Sequence, residues 1–328
     1  MTLQKAHMIT DAFKVQNLAN DVKSAGENVM VGHKSAWECL VEGVLWNSSA
    51  RIEKDPETGD WVTKGNVTEQ GLIKFFMKIF GAEGSNQKRA ELLEENILTI
   101  ISFTSSRKRA SIVVRNPSME GTDQEVRVYC KGAPDMLFDF TSSVVVEDGS
   151  VQSLNGNAYV PEELLNGDEQ GTQDTYKGLF ERTVKKFARQ AYRTLLITYK
   201  DMSMADYESL KAQNNNFQKE GDRIVLEQDL TAVGIFGLQD PLRPSIKTSI
   251  EQCRKAGITV IMCTGDNIDT AVAISKNAGI VTEEQCKHPY SCMTGKDFRE
   301  TVGTIQTKMV DGKEVDYVPN MKKFKEVK

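Results

Sequence analysis

The most constraining feature of the sequence is an apolar run, Ile258 to Cys263, that breaks into Thr264-Gly265-Asp266-Asn267 and then continues in helical spacing. An apolar run of this length, interrupted only by the β-branched Thr259, reads as a strand buried on both faces of a parallel sheet. The residues after it, Ile268, Ala271, Val272 and Ser275, fall on one face of a helix that Gly279 can end. In open α/β sheets ligands bind at the carboxyl ends of strands. Gly265 lets the backbone approach a ligand closely, and the helix start offers free N–H groups to an anion. Thr264 adds a hydroxyl, and Asp266 an acceptor for a metal-bound water or a sugar hydroxyl. The same spacing also fits a structural βα turn with Asp266 as the helix N-cap.

Upstream, the pattern differs. Trp37, Leu40, Val41, Val44 and Leu45 make one helical face, followed by a polar stretch with the turn signal Asp55-Pro56-Glu57-Thr58-Gly59-Asp60. A second helix is expected from Thr68, its N-cap, with Glu69 in the first turn, an apolar stripe of Leu72, Phe75, Phe76 and Ile79, and Gly81 at its end. Ile97–Phe103, Ser111–Arg115 and Val126–Cys130 read as strands with local, antiparallel connections. Residues 146–176, acidic and rich in Gly and Asn, read as a surface insertion. A helix over 177–191 feeds a strand over 194–199, residues 205–219 are weakly helical, and a strand over 231–237 runs into Asp240-Pro241-Leu242-Arg243-Pro244. Two close prolines stiffen the chain there, and a hinge is expected. Beyond it Ile246, Ile250 and Cys253 form a helical stripe ended by Gly257, and the charged stretch 311–328 shows no clear capping element.

With 328 residues the chain has room for about two domains. Its charged fraction of 27% and net charge of -5 describe a globular protein without the basic field that attracts nucleic acid. No apolar run approaches the roughly 18 residues of a membrane span, and no signal-peptide core stands at the N-terminus, so the chain by itself reads as cytosolic. The six cysteines form no CxxC pair and read as reduced thiols. Cys286, His288 and Cys292 lack an evident fourth zinc ligand, and no metal site is expected.

Two further constellations carry chemistry. Lys131 leaves a strand end, Gly132 turns the chain, and Pro134 suits the first position of a helix. A lysine so placed can meet a nucleotide as a point charge, or be a solvated surface residue. Phe103 and Lys108 flank a short turn and can face one pocket, where the ring can stack on a base. Ending an apolar strand, Phe103 can equally be core.

Taken in order, these segments resemble the P-type ATPases. Lys131-Gly132-Ala133-Pro134-Asp135, Ala191-Tyr192-Arg193-Thr194-Leu195, Asp240-Pro241-Leu242-Arg243-Pro244 and Thr264-Gly265-Asp266-Asn267 through Thr270-Ala271 are similar to that family's series KGA[PS]E, LR, DPxRP and TGDNxxTA, with Asp135 in place of the usual Glu. Phe103 to Lys108 and Gly65-Asn66-Val67-Thr68-Glu69 resemble the FxSxRKxxS and GNxTE segments of the plasma-membrane calcium-pump branch.

The resemblance implies an α+β nucleotide-binding domain, an antiparallel sheet flanked by helices, over residues 11–239. Part of an α/β, Rossmann-like domain of the haloacid dehalogenase type follows over 240–328, with the hinge at 240–244 and a remnant of that second domain at 1–10. It implies ATP, delivered with Mg2+, as ligand. Glu69 and Phe103 hold adenine, Lys108 and Lys131 line the pocket, and Arg193 reaches the phosphates or ribose. Asp240 and Arg243 orient the nucleotide, and Thr264, Gly265 and Asp266 meet the transferred phosphoryl group. The phosphorylated Asp of DKTGTLT aligns upstream of Met1, so the expectation is a chain that binds ATP without pumping. Its partners are the actuator, phosphorylation and membrane domains of a calcium pump, on the cytoplasmic face of the plasma membrane or of an internal calcium store. Two alternatives are a stand-alone ATP-binding module and a soluble phosphatase of the haloacid dehalogenase type. The latter needs an early Asp-x-Asp that the N-terminal region does not contain.

Overall fold

The computed structural model describes residues 2–8, 11–12, 23, 27, 30–31, 34–146, 148–160, 164, 173–239, 242–310 and 313–327. The chain divides into two compact units, Met1–Phe187 with Tyr192–Pro241, and Ala188–Ala191 with Leu242–Lys328.

The first unit is built on one mixed sheet. From one edge its strands are Val151–Ser153, Thr141–Val145, Leu230–Gln239, Tyr192–Met202, Val126–Gly132, Arg109–Arg115 and Ile97–Ile101. Every adjacent pair is antiparallel except Thr141–Val145 with Leu230–Gln239, which is parallel. Strand Thr2–Met8 pairs antiparallel with the remainder of Leu230–Gln239.

Period-2 alternation sorts the strands' side chains into two cores. Ile112, Tyr129, Ile197 and Phe236 pack with helices Ala36–Leu45 and Val67–Ala90, whose Leu40, Leu45, Leu72 and Phe76 are fully buried. Their neighbours Cys130, Leu196 and Ile235 pack instead with Phe180 and Phe187 of helix Tyr176–Arg189. Helix Ala36–Leu45 starts at Ser35, in a capping box with Glu38.

The second helix departs from its sequence reading at both ends. Its N-cap is Asn66, whose side-chain oxygen accepts from the N–H groups of Thr68 and Glu69. Thr68 itself lies too far into the first turn to do this. At Gly81 (φ 73°, ψ 174°) the chain kinks and then resumes helix as far as Ala90, because glycine carries no penalty in that conformation.

The second unit contains helices Ile246–Lys255, Ile268–Ala278, Glu283–Cys286 and Gly295–Val302, the hairpin Gln306–Val310 with Lys313–Tyr317, and helix Met321–Val327. The charged C-terminal stretch, expected to lack a cap, holds the strand Lys313–Tyr317 and the helix Met321–Val327, at whose start Asn320 Oδ1 accepts from Lys323 N. Residues 258–263 depart most from expectation. Among the described residues they form no strand and pair with none, and Ile258 and Ile261 are 56% and 76% exposed. A strand buried on both faces needs a neighbour on each side, and none of the described strands supplies one.

Candidate functional site

Register brings several candidate residues to one end of the sheet. Ile101 pairs with Ser111, and Arg109 pairs with Gly132, so Phe103, the start of the Arg109 strand and Lys131-Gly132 lie at neighbouring strand ends. Gly132 in turn opposes Leu196, placing Arg193 at the same end of the next strand. Gly132 is required here. A Cβ on it would lie 2.5 Å from Arg109 Cβ and 2.8 Å from Lys108 O. This close approach lets Ala133 N donate to Lys108 O at 3.0 Å.

Glu69 and Lys131 form the charged heart of this region. Lys131 is only 5% exposed. Its ammonium lies 2.8 Å from Glu69 Oε1 and donates to the main-chain oxygen of Asn47. The other carboxylate oxygen of Glu69 accepts from Ser49 N (3.0 Å), Ser49 Oγ (2.7 Å) and Ala50 N (3.2 Å). Burial opposes the charge on Glu69, yet the Lys131 ammonium and the Ser49 donors hold its carboxyl below the usual range. Burial pulls Lys131 down from its ordinary value, and Glu69 only partly restores it. Arg89 closes the loop behind the pair by donating to the oxygens of Ala50 (2.5 Å) and Ser48 (3.0 Å).

Phe103 is 55% exposed, so its ring is not part of a core. Lys108 ends the same turn in the left-handed region (φ 51°) and reaches Asp135 Oδ2 at 3.9 Å, with both side chains substantially exposed. Such an exposed pair contributes little to stability and leaves the ammonium accessible. Arg193 is half-buried. Arg243 is exposed at the start of the second unit, its carbonyl accepting from Ile246 N. Asp240 lies outside the described residues.

In the second unit, Thr264 Oγ1 accepts from Asp266 N and donates to Asp266 Oδ2, each at 3.1 Å. The helix that follows is capped by Asn267, whose side chain accepts from Asp269 N, and not by Asp266. Space beside Gly265 is open. Cys286 and Cys292 place their sulfurs 3.8 Å apart. Among the described residues no three His, Cys, Asp or Glu side chains converge as they would to hold a metal ion. No described helix is long and apolar enough to cross a membrane.

Sequence reasoning gave no role to Asn47, Ser49, Arg89, Arg107 or Glu227. The charges on Arg89, Arg107 and Glu227 look ordinary in the sequence, and only the fold shows that Glu227 is completely buried.

The first unit thus carries an exposed ring and lysines at one end of its sheet, and the second a Thr-Gly-Asp turn leading into a helix. Residues 136–308 match the family described as haloacid dehalogenase-like hydrolase, and residues 36–160 match that described as P-type ATPase, cytoplasmic domain N. The chain belongs to the P-type ATPases of the haloacid dehalogenase-like group. It is similar to calcium-transporting ATPase 5, plasma membrane-type, of Oryza sativa subsp. japonica (30% identical over 274 residues, 83% of this chain and 22% of the relative). It is similar also to calcium-transporting ATPase PAT1 of Dictyostelium discoideum (31% over 268 residues, 81% and 20%). Calcium-transporting ATPase 4, plasma membrane-type, of Arabidopsis thaliana is 29% identical over 303 residues (91% and 24%). The chain thus spans between a fifth and a quarter of the length of these relatives.

Proposed function

We propose that the sheet end of the first unit binds the adenosine part of ATP, and that the chain is the ATP-binding section of a calcium-transporting pump. The observation that carries this reading is Phe103. A ring more than half exposed just beyond a strand end, in the same turn as an accessible lysine and at the same end of the sheet as the buried Lys131–Glu69 pair, offers a face on which a base can stack. In this reading Phe103 stacks on adenine and Glu69 helps to hold it. Lys108 and Lys131 bring positive charge, and Arg193 reaches the ribose or phosphates. Mg2+ arrives on the nucleotide's phosphates. Asp240 and Arg243 orient the nucleotide, and Thr264, Gly265 and Asp266 meet the transferred phosphoryl group. The phosphorylated carboxylate and the actuator and membrane domains belong to the rest of the pump, at the cytoplasmic face of its membrane. On its own the chain binds nucleotide without transporting an ion.

Stacking contributes about 1–3 kcal/mol and charged hydrogen bonds about 1.5–3 each, against an association cost of about 4 or more. Binding in the micromolar to millimolar range is expected. Titration of the purified chain with ATP, followed by amide spectra and melting temperature, tests this. Phe103→Ala should weaken binding roughly 5- to 150-fold, and ATP should protect the accessible Lys108 from an amine-reactive label. Spectra and melting temperature unmoved by ATP would sink the proposal.

A further inference from the structure

We infer that Arg107, anchored by Glu227, is a positioning residue for the base-stacking ring. It sets the pose of the Phe103–Lys108 turn without touching the ligand. The inference rests on the nucleotide reading above and extends it to residues that reading does not use.

An exposed ring has few packing neighbours to orient it, so its direction is set by its backbone. The carbonyl that precedes Phe103 is held by the Arg107 side chain, and the turn after it by Thr104. Arg107 Nη1 donates to the carbonyl of Ser102, the residue before the ring, at 2.8 Å. Arg107 N donates to Thr104 Oγ1 at 3.3 Å, and Lys108 N to Thr104 O at 2.8 Å. The turn therefore closes on both sides of Phe103 and delivers Lys108 in its left-handed conformation.

The guanidinium is fixed in turn. Nη2 meets Glu227 Oε1 at 2.5 Å, and Nη1 meets Glu220 at 2.8 Å. Glu227 is completely buried and also accepts from Arg109 Nε (2.7 Å) and Ser111 Oγ (2.6 Å). A buried carboxylate with three side-chain donors is a rigid reference point, because moving any donor leaves a desolvated charge underpaired. Arg109 adds to this rigidity by lying over the Phe140 ring, 3.9 Å from its centroid. The chain thus ties an exposed turn to the interior through Arg107. A fork of this geometry cannot be reproduced by a lysine.

The test compares two probes, ATP and inorganic tripolyphosphate, by calorimetric titration of the full chain. The variants are Phe103→Ala, Arg107→Ala, Arg107→Lys and the double variant Phe103→Ala/Arg107→Ala. Arg107→Ala should weaken ATP roughly 3- to 30-fold, part of the stacking contribution, and leave tripolyphosphate within about twofold. In the Phe103→Ala background it should cost nothing further, because residues acting as one unit are not additive. Arg107→Lys should behave as Arg107→Ala. Amide resonances of 102–108 should broaden or shift in the ligand-free variants while the rest of the sheet does not. Equal weakening of both probes, or additive costs in the double variant, overturns the inference, since Arg107 would then act by charge or through the fold at large. If Arg107→Ala does not fold, Glu227→Asp retains the charge and shortens the reach. The same selective loss of ATP is expected, and its absence overturns the inference. An unchanged ATP affinity in Phe103→Ala alone instead removes the nucleotide reading itself.

Discussion

Replacing Glu69 by Gln probes the buried ion pair behind the site. One carboxylate oxygen takes three donors from Ser49 and Ala50, and the other faces the Lys131 ammonium at 2.8 Å. An amide has one oxygen. Whichever way it turns, its NH2 group meets a donor, and Lys131 keeps as its other partner the carbonyl of Asn47. Breaking such a pair from one side costs about 3–5 kcal/mol. The loss has a ceiling, because the amine can shed its proton. With an unfolded value of about 10.4, neutralising a lysine at pH 7 costs about 4–5 kcal/mol, at about 1.4 kcal/mol per pH unit. Burial already holds Lys131 below its ordinary value in the parent. We expect a cost of about 3–4 kcal/mol at pH 7 that shrinks by up to ~1.4 kcal/mol per unit toward pH 9. The sign follows from proton counting: the unfolded variant binds one more proton than the folded one, so stability rises with pH. Urea unfolding followed by tryptophan fluorescence measures it, since Trp37, Trp46 and Trp61 all lie in the sheet-bearing unit. A cost below about 1 kcal/mol at pH 7, set against the 3–5 expected of a broken buried pair, or one that does not change by pH 9, would refute the reasoning.

The same pair gives the parent an acid limb. Glu69 is held below its ordinary value, so its contribution is complete above about pH 4.3 and is lost as pH falls through the lower folded value. Unfolding midpoints between pH 5 and 3 should therefore drop more steeply for the parent than for Glu69→Gln. Gly132→Ala forces a methyl against Arg109 Cβ and Lys108 O, and should cost about 1–3 kcal/mol in urea unfolding; a neutral result would deny the close approach. Asn66→Ala removes the cap whose oxygen serves Thr68 and Glu69, for about 0.5–2 kcal/mol, with Thr68→Ala well below that if the cap is assigned correctly.

Much of the sheet unit was legible because its signals are local. Helical spacing marked Trp37 to Leu45, and short runs rich in apolar, β-branched residues between turn signals marked the strands that became Arg109–Arg115 and Val126–Gly132. The parallel pairing of Thr141–Val145 with Leu230–Gln239 was not legible, since its partners are far apart in sequence and nothing local specifies a neighbour. The site divides in the same way. Phe103, Lys108 and Lys131 stood out because turns and strand ends are local events. Glu227 gave no signal: it reads as one more charge in a polar stretch, and its donors are 116 to 120 residues away.

Residues 258–269 show why local and non-local encoding separate even within one motif. The Thr264-Gly265-Asp266 turn is made by hydrogen bonds between Thr264 and Asp266. The helix start is made by the Asn267 side chain accepting from Asp269 N, as the Asn66 side chain accepts from Thr68 N in the first unit. Every partner lies within a few residues, so the turn forms whatever flanks it. The preceding apolar run encodes an environment rather than a conformation. Burying an isoleucine fully is worth about 1.5–3 kcal/mol, and Ile258 and Ile261 realise little of that where they stand. Their composition specifies strands on both sides, and that specification can be met only by segments that lie beside the run. The turn's geometry is thus a property of a few consecutive residues, whereas the strand's identity is a property of its neighbours.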